Sequence, residues 1–139
     1  MKKIFKIYSL FLLITFSLMA GVENRYPNMA IINSKVKIID IRTESEWFET
    51  GILKGSYPIT FFNARGEYNI SDFLRKLNEV IEKGEKFALI CRTGSRTKIV
   101  SRFLGRNGYN VINLTGGIFY AMKKLGIRTE KYNGSKRYY

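Results

Sequence analysis

Apolar and polar positions along the chain alternate between the pattern of a strand and the pattern of a helix. Residues 36–41, 87–90 and 110–114 are short apolar runs, as expected for strands that are buried on both faces. After residue 71, after residue 95 and after Gly116, the spacing instead predicts helices. Strands that alternate with helices of this length predict an α/β domain with a mostly parallel sheet and helices on both of its faces.

Two of the predicted helices have apolar sides that can be assigned residue by residue. In the first, Thr43 at the N-cap and Glu46 three residues later have the spacing of a capping box, and Gly51 ends the helix. This short helix is predicted to turn Trp47 and Phe48 inward. The helix after residue 95 is predicted to bury one side, formed by Ile99, Val100, Phe103 and Leu104.

The N-terminus has the layout of a secretory signal. Lysines at the start are followed by an apolar run over residues 7–20 that ends in small residues and is too short to cross a bilayer comfortably. We therefore predict a signal peptide over residues 1–20, a periplasmic location, and a membrane anchor only if the segment is not cleaved. The domain is predicted to cover residues 21–127, and residues 128–139 form a basic, tyrosine-rich tail without a clear period.

Composition excludes several kinds of chemistry. The chain carries a net charge of +13 and contains no histidine and one cysteine. The missing histidines exclude His-based triads and His metal clusters, and the single cysteine excludes internal disulfides. We expect no metal and no organic cofactor. The basic residues are scattered and accompany no nucleic-acid motif, so we expect a surface that attracts small anions rather than a nucleic-acid partner.

One segment carries candidate chemistry. Cys91 directly follows the buried run 87–90, at the end of a strand where open α/β sheets bind their ligands. A tight loop and the start of the next helix direct N–H groups and a positive dipole toward this thiol. Arg92, Gly94 and Arg96 add two cations and a flexible turn, and Thr93 and Ser95 complete the loop. This setting favours a thiolate nucleophile that needs no histidine base; the alternative is a small buried side chain.

Four segments together resemble the rhodanese family. Residues 91–96 are similar to its C-R-x-G-x-R active-site loop, and residues 39–47 are similar to its D-x-R-x-x-x-E-[WYF] segment. Residues 51–56 and 113–118 resemble the family's G-H-I-x-G-A and L-x-G-G segments, in the same order. The chain departs from the pattern at Ile52, where the family often has histidine, and in its last helix, where the tryptophan that is common in the family is missing.

The resemblance implies a fold and an activity. The fold is a rhodanese-like sheet of about five strands, and the activity is the transfer of a sulfane sulfur from thiosulfate or a related anion to cyanide or a thiol. Cys91 would carry the sulfur as a persulfide. Arg92 and Arg96 would bind the donor, while loop N–H groups, including those of Thr93, Gly94 and Ser95, would stabilise the terminal sulfur.

The remaining implied roles concern a second pair of residues and the partners. Asp40 and Arg42 would order the site; the alternative is an ion pair at the surface near a helix start. We expect a monomer whose partners are the small sulfur donor and the acceptor, with a protein thiol as a further candidate acceptor.

Two other functions are compatible with this fold. Cysteine phosphatases and arsenate reductases of related type use a C-x5-R loop, whereas here Thr97 stands at that position and the arginine comes one residue earlier. The shorter loop favours a sulfur atom over a tetrahedral oxyanion. The other alternative is a rhodanese-like module without sulfur transfer. The retained cysteine and arginines argue against a pure binding module, whereas a thiol sensor that forms a mixed disulfide with a partner would use the same reactive thiolate.

Overall fold

The fold is built on one parallel sheet of five strands. The computed structural model describes residues 20–135, so all but the last residue of the predicted signal peptide lies outside the described residues. The strands follow the sheet order β1-β5-β4-β2-β3, and every pair is parallel. Their bounds are β1 Gly21–Arg25, β2 Ile38–Asp40, β3 Tyr57–Pro58, β4 Lys86–Ile90 and β5 Asn110–Leu114. The predicted α/β class and the parallel sheet are confirmed.

Helices cover both faces of this sheet. Their bounds are α1 Met29–Ile32, α2 Glu44–Thr50, α3 Ile70–Val80, α4 Ser95–Arg106 and α5 Gly117–Phe119, which continues as a π-helix over Tyr120–Lys124. On one face, α3 and α4 bury Phe73, Leu77, Val100 and Leu104 against the sheet. On the other face, α1 and the helix after β5 enclose a second cluster around Ile31 and Ile118. The central strand β4 contributes to both clusters, which explains why its last four residues are all buried.

The edge of the sheet is a feature that the apolar pattern did not predict. Strand β1 pairs with β5 along its whole length, yet none of its five residues is buried. An edge strand of this kind has no continuous apolar run that would predict it from the sequence. Only its backbone hydrogen bonds to the neighbouring strand define it.

Two side chains that we predicted to face inward do not do so. Trp47 is buried as expected, but Phe48 on the same short helix is 57% exposed, and Ile99 on α4 is 61% exposed. In each case the neighbouring residue already occupies the centre of the buried face, because successive residues on a helix lie about 100° apart.

The C-terminal segment packs onto the domain. Glu130 forms an antiparallel bridge with Ile52, with backbone N···O distances of 2.9 and 2.7 Å. Tyr132 is 4% exposed and packs against Trp47 and Phe48, with ring centroids 5.3 and 4.9 Å away. The sequence pattern treated residues 128–139 as a tail beyond the domain, whereas the described part of this segment holds helix α2 in place.

This contact makes a prediction about stability. We expect Tyr132→Ala to reduce the free energy of unfolding by about 2 kcal/mol, because it removes a buried aromatic ring between Trp47 and Phe48. Urea unfolding measures this loss, and Tyr68→Ala serves as the control because Tyr68 is 59% exposed. Equal losses of unfolding free energy in the two variants would mean that the C-terminal segment does not stabilise the domain.

Within residues 20–135, no helix has the length and hydropathy needed to span a bilayer.

Candidate active site

The candidate residues lie at the carboxyl ends of three neighbouring strands of the parallel sheet. Strand β4 ends directly before Cys91, strand β2 ends at Asp40, and strand β5 is followed by the turn at Gly116 and Gly117. Since β4 lies between β2 and β5, the cysteine loop is flanked on both sides by the ends of its neighbours. This is the position at which open α/β sheets bind ligands.

The thiol of Cys91 lies at the start of helix α4. The cysteine has no exposed surface, and its Sγ accepts a hydrogen bond from the backbone N–H of Gly94 at 3.1 Å. The Oγ1 of Thr97, which is also buried, lies 3.6 Å from the same sulfur. Gly94 is the N-cap and Thr97 lies in the first turn of a helix of 12 residues, so the positive end of its dipole adds to the field at the sulfur. The N–H of Gly94 and the helix dipole therefore place partial positive charge beside Sγ.

Two glycines allow the loop to take this shape. Gly94 is the N-cap of α4 with φ +96°, a conformation that side chains rarely adopt. Gly117, with φ +63°, lies so close to the loop that an added Cβ would be 2.5 Å from the carbonyl oxygens of both Cys91 and Arg92. The backbone after Gly117 also binds the loop, since the N–H of Ile118 donates to the carbonyl oxygen of Cys91 at 2.9 Å. The Gly-Gly turn therefore fixes the base of the cysteine loop.

Arg96 is held by a carboxylate from another element. Its Nη1 and Nη2 donate to the two carboxylate oxygens of Glu46 at 2.8 and 2.7 Å. Glu46 also accepts from the backbone N–H of Thr43 at 3.0 Å, as the predicted capping box requires. The bond from Arg96, helped by the N–H of Thr43 and opposed by burial, lowers the pKa of Glu46 from 4.5 to about 2. The bond to Glu46, with a smaller contribution from the charge of Cys91, raises the pKa of Arg96.

The pair of Glu46 and Arg96 makes the free energy of unfolding decrease as the pH is lowered. Because the pKa of Glu46 is lower in the folded protein, the pair stabilises the fold fully above pH 4.5 and loses this contribution as the pH falls toward about 2. We expect the wild type to lose about 1–2 kcal/mol more than Glu46→Gln between about pH 6 and pH 3, since solvent screens part of the pair. Urea unfolding at the two pH values measures the difference. Parallel losses would show that the pair does not contribute.

Asp40 and Arg42 form a buried ion pair rather than a pair at the surface. Their side chains are 0% and 1% exposed, and Nη2 of Arg42 lies 2.8 Å from Oδ2 of Asp40. Arg42 also donates to the carbonyl of Gly51 at 2.8 Å and to Oγ1 of Thr50 at 2.7 Å. The alternative hypothesis of an ion pair at the surface is therefore wrong. The guanidinium of Arg42 is buried because it binds the C-terminal end of α2.

The other residues of the loop are exposed. Among the described residues, Arg92, Thr93 and Ser95 form no hydrogen bond with Sγ of Cys91, and the guanidinium of Arg92 lies 4.5 Å above the ring of Phe119. Arg92 has no acidic partner among residues 20–135, unlike Arg96. It is therefore the available cation of the loop, and Phe119 holds it over the helix that follows β5.

Two residues of the site were not among the sequence candidates. Glu46 was explained by its capping role, and its bond to Arg96 joins positions 50 residues apart. Thr97 entered only as the residue that stands where phosphatases have arginine, although its spacing of six from Cys91 places it in the first turn of α4. Across residues 20–135, no group of three or more His, Cys, Asp or Glu side chains is arranged to hold a metal ion.

The chain has recognisable relatives. Residues 28–123 match the model of the rhodanese-like domain. An uncharacterized protein of Rickettsia prowazekii is 34% identical over 94 residues, which cover 65% of this chain and 75% of that protein.

Solved structures with the same fold support the assignment. The reduced CoADR-RHD protein of Bacillus anthracis superposes with a TM-score of 0.57 and 24% identity, over 78% of this chain and 17% of that one. Protein Rv0390 of M. tuberculosis gives a TM-score of 0.54 and 21% identity, over 68% of this chain and 77% of its own. These two neighbours show the fold, and the family model shows the family. The chain belongs to the rhodanese-like domain family.

Proposed function

We propose that the protein is a sulfurtransferase that carries a sulfane sulfur on Cys91, from thiosulfate or a related anionic donor to cyanide or a thiol. The observation that carries this proposal is the contact between Sγ of Cys91 and the N–H of Gly94 at the head of α4. A sulfur held by an N–H group at a helix N-terminus is stabilised as an anion. The chain has no histidine that could serve as its base.

The reaction has two steps that balance without a cofactor. In the first, the thiolate of Cys91 attacks the outer sulfur of thiosulfate, an S–S bond forms at Cys91, and the S–S bond of the donor breaks as sulfite leaves with its electron pair. In the second, the acceptor attacks the outer sulfur of the persulfide. With cyanide the product is thiocyanate, and the bonding pair returns to Cys91 as the thiolate.

The arginines have separate roles in this scheme. Arg92 is exposed and without an acidic partner among the described residues, so it is placed to bind an incoming anion. Arg96 is already paired with Glu46, and it contributes positive charge near Cys91 while fixing the first turn of α4. Both roles favour an anionic donor over a neutral one.

The test of the donor site uses charge as the variable. We expect Arg92→Ala to raise the KM for thiosulfate about fivefold and to leave the KM for an uncharged dialkyl trisulfide within about twofold, as expected for one screened charge. Arg106→Ala is the control, because Arg106 lies at the far end of α4. Equal changes for the two donors would remove the anion-binding role of Arg92.

The test of the activity itself compares two reactions. Thiocyanate formation from thiosulfate and cyanide should be catalysed, and phosphate release from an aryl phosphate should not be. The buried hydroxyl of Thr97 stands where a phosphatase needs an arginine to close its loop, which supports this expectation. Phosphate release without thiocyanate formation would contradict the proposal.

A further inference from the structure

A cavity lies against the outer wall of the cysteine loop. It has a volume of about 400 Å³ and lies between helix α4 and the two strands β1 and β5. Thr93 and Gly94 border it, but Cys91 does not line it. The cavity therefore adjoins the proposed sulfur site and shares the loop residues Thr93 and Gly94 with it, but it does not include the thiol.

The wall formed by β5 contains a buried amide with an unused acceptor. Asn113 alternates with the buried Ile112 and Leu114, which pack against the opposite face of the sheet, so it lies on the α4 side. The residue is 5% exposed, and its Nδ2 donates to Oδ1 of Asn24 at 3.0 Å. Its Oδ1 is buried and has no hydrogen-bond partner in the part of the chain that the structure describes. Such an acceptor can take a hydrogen bond from an O–H or N–H donor that enters the cavity.

The wall formed by α4 adds positive charge. Lys98 and Arg102 lie one turn apart on this helix and line the cavity, and both are exposed. Neither has an acidic partner among residues 20–135, and no acidic side chain lines the cavity. An anion would be attracted to this wall, whereas a ligand that offers an ammonium group would be repelled by the same two cations.

We propose that this cavity binds a small anion that also carries a hydroxyl group. Its carboxylate or phosphate would pair with Lys98 and Arg102, and its hydroxyl would donate to Oδ1 of Asn113. Hydroxycarboxylates and hydroxylated phosphate esters share this chemistry. The proposal does not depend on sulfur transfer, because Cys91 takes no part in the site.

The first test compares probes that differ by one group. Binding to the Cys91→Ser protein is followed by the shifts of backbone amide signals at residues 93, 94, 113 and 115, with malate against succinate and 2-hydroxypropyl phosphate against propyl phosphate. We expect millimolar binding, with each hydroxylated probe bound about fivefold more tightly than its partner, as one hydrogen bond provides. The pair of probes that binds with the higher affinity shows whether the site prefers a carboxylate or a phosphate group.

The second test uses variants of the cavity. Asn113→Leu should remove the preference for the hydroxylated probe, and Lys98→Gln combined with Arg102→Gln should weaken binding of all probes about tenfold. Arg106→Gln, on the same helix but outside the cavity, should bind as the parent does. The lysine and arginine are exposed, so their replacement tests charge without disturbing the core. Equal binding of paired probes, or no binding at millimolar concentration, would overturn the proposal and leave the cavity to water.

Discussion

Replacing Cys91 with serine should lower the rate of thiocyanate formation by about a thousandfold or more, as for the loss of a covalent nucleophile. Serine keeps the size of the side chain, and its hydroxyl can still accept the N–H of Gly94. It stays protonated at neutral pH and so cannot attack the donor. No other cysteine in the chain can take over the role.

The stability of this variant separates chemistry from folding. Since a serine at the buried position keeps its hydrogen-bond partner, the free energy of unfolding should change by no more than about 1 kcal/mol. Steady-state rates and urea unfolding are measured on the same preparation. A variant that is folded and still forms thiocyanate at near the wild-type rate would show that Cys91 does not carry the sulfur.

Replacing Asp40 with asparagine should destabilise the fold by about 3–5 kcal/mol, because it leaves the buried charge of Arg42 without its partner. The same guanidinium binds the carbonyl of Gly51 and the hydroxyl of Thr50, so its position fixes the end of α2. Helix α2 carries Glu46, which in turn holds Arg96 beside the cysteine loop. We therefore expect the variant to lose activity together with stability.

Two comparisons make this result specific. Asp72→Asn removes one carboxylate from a solvent-accessible cluster with Arg75 and Lys76 and should cost at most about 1 kcal/mol. The double variant Asp40→Leu with Arg42→Met should recover much of the lost stability, since matched apolar side chains often replace a buried ion pair well. A small effect of Asp40→Asn, comparable to that of Asp72→Asn, would mean that the buried pair does not organise α2.

The sequence predicts correctly those features that are determined by residues close together along the chain. The runs at 36–41, 87–90 and 110–114 match the three central strands to within two residues at each end, because burial on both faces leaves a continuous apolar segment. The loop from Cys91 to α4 follows from a strand end, a glycine and a helix start within a few residues. The capping box of Thr43 and Glu46 likewise needs only a spacing of three.

The features that were missed depend on residues far apart in the chain. Tyr132 is buried by Trp47 and Phe48, and no local period in the C-terminal segment indicates this partner. Glu46 has a complete local explanation as a capping residue, which hides its bond to Arg96. Strand β1 shows no apolar run because it lies at the edge of the sheet, where one side of its backbone has no neighbour.

The most direct test of the whole proposal is the mass of the intact protein after exposure to thiosulfate and removal of the excess. We predict a gain of one sulfur atom, located on the peptide that contains Cys91, and its loss on addition of cyanide with release of one thiocyanate per chain. A wild-type protein whose mass stays unchanged at saturating thiosulfate would contradict the persulfide. It would favour a binding module that keeps the fold of the family without its chemistry.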